Sequence, residues 1–147
     1  MPGTRVSKMQ LPFENILAID PGSDKCGIAV VAQDGRVLHQ AVVSAAEIGG
    51  VARQLIVEYA VSKLLLGDRT AARSVRDRLR ETRVPLEPVV VDEHRSSEEG
   101  RRRYFRDNPR KGWRRLLPVT LQTPPRAYDD YVAVVLAERY LHSQRSG

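Results

Sequence analysis

The sequence predicts an α/β fold on a mixed five-stranded sheet, ordered β-β-β-α-β-α-β-α-α, with helices on both faces. Three observations predict it. Three apolar stretches near the N-terminus follow one another across short turns, as antiparallel hairpins do. Beyond Ser44, segments with helical spacing alternate with short apolar runs, which implies parallel strands joined by helical crossovers. The last long segment is almost wholly apolar after Asp129-Asp130 and is expected to be buried.

Residues 1–13 lack periodicity and read as a flexible N-terminal arm, leaving 14–147 as one domain. Ile16-Leu17-Ala18-Ile19-Asp20 is a short buried strand ending in a carboxylate, and Pro21-Gly22-Ser23-Asp24 is turn chemistry. Cys26 to Ala32 is the second strand, Gln33-Asp34-Gly35 a hairpin turn, and Arg36 to Val43 the third strand. Ser44 and Glu47 have capping-box spacing. The helix they open runs to about Val61, with Ile48, Val51, Leu55, Ile56 and Tyr59 on one face. Lys63 to Gly67 is a buried strand with Asp68 at its carboxyl end. Residues 70–83 form an Arg-rich helix facing inward through Ala72, Val75 and Leu79. Leu86 to Asp92 is the fifth strand, and its run Val89-Val90-Val91 reads as buried. Ser96 and Glu99 suggest a second capping box before a basic helix that stops near Asn108-Pro109. Residues 109–125 are proline-rich and irregular, and Arg126 to about His142 is the final helix.

Composition narrows the function. The chain has 147 residues, 41% hydrophobic and 29% charged, which suits a globular domain rather than a disordered one. No apolar run nears the roughly 18 residues needed to span a bilayer, so no membrane association is expected. The N-terminus shows no apolar export core. The one cysteine, Cys26, reads as a small core residue in a reducing cytoplasm. One Cys and three scattered His offer no zinc-ligand spacing.

The net charge of +6 is concentrated in one segment. Residues 101–115 hold eight Lys/Arg and one Asp, so the remainder of the chain sums to about −1. Arg101, Arg102, Arg103, Arg106, Arg110, Lys111, Arg114 and Arg115 suit phosphate contacts. The interleaved Tyr104, Phe105 and Trp113 suit base stacking, Trp113 or Tyr104 foremost. Arg73, Arg76, Arg80 and Arg83 share a second helical face. A solvated surface explains either stripe equally simply.

Asp20, Glu93, Asp129 and Asp130 stand at the ends of apolar elements. Sites in open α/β sheets gather at the carboxyl ends of parallel strands. A helix N-terminus can bring Asp129 or Asp130 to the same edge. Carboxylates gathered so repel one another unless a cation lies between them, and hard oxygens select Mg²⁺ or Mn²⁺. The plainer reading makes Asp20 a turn residue and Asp129-Asp130 first-turn acids that complement the helix dipole. Asp68 and His94 are possible supporting groups, with Arg69 a simple ion-pair partner for Asp68. Lys25 is close enough in sequence to Asp20 to offset a phosphate.

Three blocks carry a family resemblance. Ile16 to Val30, with its Asp20-Pro21-Gly22-Ser23-Asp24-Lys25 core, resembles the N-terminal motif of the YqgF (RuvX) family. Val91-Asp92-Glu93-His94-Arg95-Ser96-Ser97 resembles that family's "VDER.ST" stretch, and Arg126 to Leu141 its acidic final helix. The resemblance implies an RNase H-like fold related to RuvC resolvases. It also implies a metal-dependent nuclease acting on branched DNA or on the 16S ribosomal RNA precursor. It places the metal-holding acids on Asp20, Glu93 and Asp129 or Asp130. The Arg that usually follows the family's Glu is His94 here, with Arg95 displaced by one position as the phosphate contact. A homodimer suits a two-fold DNA junction, and a monomer suits trimming of RNA at a single site. A nucleic-acid binder without catalysis is the second function class. A two-lobed ATPase is the third, and a 147-residue chain supplies only one lobe.

Overall fold

The computed structural model describes residues 14–94, 96–108 and 129–146. The strands are β1 Asn15–Asp20, β2 Lys25–Ala32, β3 Val37–Ser44, β4 Val61–Gly67 and β5 Val89–Val91. The helices are α1 Ile48–Glu58, α2 Ala72–Glu81, α3 Ser96–Asp107 and α4 Asp129–Ser146, with a 3₁₀ turn at Ala45–Glu47. The element order is the expected one. The expected arm 1–13, the irregular segment 109–125 and the start of the final helix at Arg126 lie outside the described residues. No described helix is long and apolar enough to cross a membrane.

The sheet order is β3-β2-β1-β4-β5. β1 pairs antiparallel with β2 and parallel with β4, and β4 pairs parallel with β5. β1 is therefore central, and its two faces meet different cores. Leu17 and Ile19 join Ile28, Val30, Leu64 and Leu66 beneath α1 and α2. Ile16 and Ala18 join Ala29, Val31 and Leu65 against Ala133, Leu136 and Ala137 of α4. A strand buried on both faces carries no polar alternation, which is why NILAID reads as one apolar run. Each fully buried Leu or Ile removed to Ala here would cost about 2–5 kcal/mol.

Parity sets the site. Side chains alternate along a strand, so Asp20 falls on the α4 face with Ile16 and Ala18. It is the last residue of β1.

Several boundaries differ from expectation. Ser44 makes no cap to the helix backbone; its hydroxyl donates to Glu47 Oε1 at 3.1 Å. α1 stops at Glu58 because Ala60 turns into the left-handed region (φ 50°), and β4 starts at Val61. α2 ends at Glu81, and Arg83 (φ 57°) reverses the chain. β5 is three residues long, not the whole of Leu86 to Asp92, since Pro88 has no N–H for the ladder. It is also an edge strand, with Val89 and Val90 about 40% exposed, so it is not the buried strand its sequence suggests. Ser96 is already helical, and its hydroxyl donates to the Glu93 carbonyl at 2.7 Å. Cys26 is a core residue as expected, and burial pushes its thiol pKa up.

Candidate active site

Asp20, Glu93 and Asp129 lie at one edge of the sheet, near enough for their charges to act on one another. Asp20 is supplied by the end of β1, Glu93 by the loop after β5, and Asp129 by the first turn of α4. Asp20 and Glu93 are both buried, at 3% and 5% exposure. Two carboxylates can only accept hydrogen bonds, so their contact requires a shared proton. Asp20 carries it: burial first, then the hydrogen bond to Glu93 and its charge, push Asp20 up to about 9. Arg69 pulls in the other direction, and Asp129 adds to the rise. Asp129 is also raised, chiefly by burial, with the charges of Arg69 and Lys25 opposing and those of Asp130 and Glu93 reinforcing.

Two glycines make the convergence possible. Gly27 pairs with Asp20 across β1 and β2. A Cβ at Gly27 would stand 1.9 Å from the Asp129 carbonyl oxygen, so only glycine admits the N-terminus of α4 here. Gly67 ends β4 on the other side, next to the Ile19–Leu66 pair. A Cβ there would stand 2.3 Å from the Glu93 carboxylate. The sequence reading missed both roles. Their signal is a glycine at the active edge of each strand flanking β1.

Glu93 is tightly held. Its Oε2 accepts the Arg69 backbone N–H at 3.0 Å. Arg69 Nε stands 3.2 Å from Oε1, at ion-pair distance but without hydrogen-bond geometry. The Glu93 backbone N–H donates to Asp68 Oδ1 at 3.1 Å. Arg69 therefore pairs with Glu93 and not with Asp68, correcting the sequence reading. Asp68 acts on the loop backbone. His94 is exposed, with its N–H donating to Asp92 Oδ1 at 2.9 Å and its carbonyl accepting from Arg139.

The two candidates at the α4 start diverge. Asp129 joins Asp20 and Glu93 through its charge, whereas Asp130 is buried and accepts from Gln40 Nε2 of β3 at 3.0 Å. Gln40 was not anticipated. Lys25 opens β2, exposed and near enough to Asp129 to act on its charge.

The basic segment divides differently from expectation. Tyr104 and Phe105 are buried and pack edge-to-face, and Tyr104 meets Tyr131 of α4 in the same way. Tyr104 is thus a core ring and not the base-stacking platform its sequence suggests. Arg103 ties α3 to α4: Glu138, first by hydrogen bond and then by charge, and next Glu99 raise its pKa. Arg102 pairs with Glu98 one turn back and Arg106 with Asp107, both on exposed surface. Arg101 is half-buried. Arg95, Arg110, Lys111, Trp113, Arg114 and Arg115 lie outside the described residues.

The donor set suits a hard divalent ion. All the oxygens are carboxylate, they repel one another, and Asp20 Oδ1 is buried without a hydrogen-bond partner. Among the described residues, no three His, Cys, Asp or Glu side chains stand close enough together to hold an ion as they lie. Burial and the neighbouring Glu93 favour the protonated form of Asp20, and a cation between the two carboxylates would offset the same repulsion.

Two solved structures are similar over nearly the whole chain. One is described as T. thermophilus RuvC in complex with Holliday junction substrate. It is 15% identical, with a TM-score of 0.56, covering 91% of this chain and 96% of that one. The other is a Thermus thermophilus RuvC structure, 16% identical, with a TM-score of 0.55 and coverage of 90% and 96%. No protein-family model and no curated protein sequence matches. At such identity the likeness is one of fold, and the sheet is RNase H-like.

Proposed function

We propose that this chain is a divalent-metal-dependent nuclease that hydrolyses phosphodiester bonds in structured nucleic acid, with branched, Holliday-junction-like DNA as its substrate. The observation that carries the proposal is the buried Asp20–Glu93 pair with Asp129 beside it, at the edge where β1 and β4 end in an RNase H-like sheet. A turn residue has no need of burial at 3% exposure, nor of a second carboxylate against it. The three sequence blocks resembling YqgF (RuvX) favour that branch of the fold. The lone buried thiol fits a reducing compartment, and we place the protein in the cytoplasm.

Asp20, Glu93 and Asp129 would hold Mg²⁺ or Mn²⁺, which supplies positive charge for the phosphate and a more acidic water. The chain's own residues prepare that site. Arg69 and Asp68 fix Glu93 from its side chain and its backbone. Asp20 would have to be deprotonated to serve as a ligand, its proton passing to the solvent. Lys25, exposed and near enough to Asp129 to act on its charge, would offset the charge of a phosphate brought to the site. Asp130, held by Gln40, orients the start of α4.

The test is single-turnover cleavage with Mn²⁺, Mg²⁺ or EDTA. The substrates are a four-way DNA junction, matched duplex, single-stranded DNA and a 16S precursor RNA fragment. Metal-dependent cutting of the junction, lost in Asp20→Asn, is the expected result. Preference for the RNA fragment would move the same site to maturation of the 16S 5′ end. Binding without cutting on every substrate would replace the nuclease with a non-catalytic nucleic-acid binder.

A further inference from the structure

A groove of about 680 Å³ opens between the β1–β2 turn and the start of α2, lined by Pro21, Ser23, Asp68, Arg69, Thr70 and Ser74. Its volume lies within the ~300–1,000 Å³ of ordinary ligand clefts. Arg69 belongs both to the groove and to the carboxylate centre. Its Nε stands on the buried Glu93, while 43% of its side chain is exposed. The guanidinium has five N–H donors in a planar fork, so the ion pair with Glu93 leaves donors for a second anion. Ser23, Thr70 and Ser74 are exposed, and among the described residues none of their hydroxyls has a hydrogen-bond partner. The one carboxylate in the lining, Asp68, already accepts from the Glu93 backbone.

We propose that this groove binds a backbone phosphate of the nucleic-acid strand next to the bond cut at the carboxylates, with Arg69 as its anchor and the three hydroxyls as secondary donors. The proposal rests on the nuclease reading and adds the path of the strand. A phosphate is the anion that matches an Arg fork ringed by hydroxyls. Arg69 also explains why the groove lies where it does. One side chain fixes Glu93 on one side and the strand on the other, so binding and orientation of the carboxylate share a residue. The Arg69 backbone N–H keeps its bond to Glu93 whatever the side chain, so substitution removes the guanidinium and its ion pair but leaves one hold on the carboxylate, and Ser74→Glu tests the groove without touching Glu93.

The experiment measures junction and single-stranded DNA binding in EDTA across a salt series, for wild type, Arg69→Gln, Arg69→Lys and Ser74→Glu. Wild-type cleavage with Mn²⁺ runs in parallel. Loss of one phosphate contact should weaken binding about tenfold at low salt and reduce the log–log salt slope by about 0.9 for duplex DNA. Ser74→Glu places a carboxylate at an exposed position and should weaken binding as much, with the melting temperature unchanged. Arg69→Lys should recover the salt slope but only part of the affinity, since it keeps the charge and loses the fork. Wild-type affinity and slope in both Arg69→Gln and Ser74→Glu would overturn the groove. Inorganic phosphate binding as tightly as the oligonucleotide would also overturn it, in favour of a free-phosphate site. If the wild type cuts nothing while the variants still bind more weakly, the groove stands and the nuclease reading falls. If the wild type cuts and the variants bind normally, the groove alone falls.

Discussion

Replacing Asp20 by Asn should stabilise the metal-free protein while abolishing cleavage. In the folded chain Asp20 holds its proton to about pH 9, against an ordinary value of 3.8. The unfolded chain releases that proton near 3.8. The stability this group contributes is therefore whole below pH 3.8 and is lost as pH rises toward 9. At pH 7 the span from the ordinary value is about three units, a ceiling of about 4 kcal/mol at 1.36 kcal/mol per unit. Local relaxation and water penetration soften the penalty of a buried charge, so about half that ceiling is the expected gain. Asn has the same shape, carries no charge and offers an N–H to Glu93. A gain of about 2 kcal/mol raises the melting temperature by roughly 4–8 °C for a chain of this length. The assay is thermal melting in EDTA from pH 4 to pH 8. The difference between variant and wild type should be near zero at pH 4 and grow with pH. Adding Mg²⁺ should stabilise the wild type and leave the variant unmoved. A variant less stable than wild type at pH 8, or a difference that does not change with pH, would refute the buried shared proton.

The glycine that admits α4 should tolerate no side chain. Gly27→Ala is expected to lower the urea-unfolding free energy by about 3 kcal/mol, because the Cβ meets backbone that cannot swing aside; an unchanged midpoint would show that α4 begins elsewhere. Arg103→Ala should cost about 1–2 kcal/mol through the lost Glu138 and Glu99 partners, while Arg102→Ala on the exposed face stays within about 0.5 kcal/mol. Equal losses in denaturant would count against an α3–α4 tie. Asp129→Asn should reduce metal-dependent cleavage at least about a hundredfold, a loss of about 3 kcal/mol in barrier. Asp130→Asn, which keeps a Gln40 contact, should fall by less than tenfold, about 1.4 kcal/mol. The reverse ranking would exchange their roles.

Much of the fold was legible because local rules carry it. Hairpin chemistry at Asp34-Gly35 and the apolar run of β1 required no tertiary information. Asp20 and Glu93 were legible as carboxylates ending apolar runs. What failed locally failed for tertiary reasons. The run Val89–Val91 suggested a buried strand but lies at the sheet edge, because β5 is the last strand to join a sheet whose centre is β1. Tyr104 sits among arginines in sequence, yet its helix turns it toward Tyr131.

By itself the sequence determined the order of elements, the central buried strand and the acids that could form a site. Those features depend on spacing within a few residues, where the periods of strand and helix act directly. The tertiary structure alone decided which acid at the start of α4 faces Asp20, that Arg69 serves Glu93 and not its neighbour Asp68, and that Arg103 is a helix tie. Each depends on the distance between segments far apart in the chain. Those distances are set by the packing of α4 against Gly27 and of Glu93 over Gly67, where the absence of a single carbon fixes how closely the elements approach.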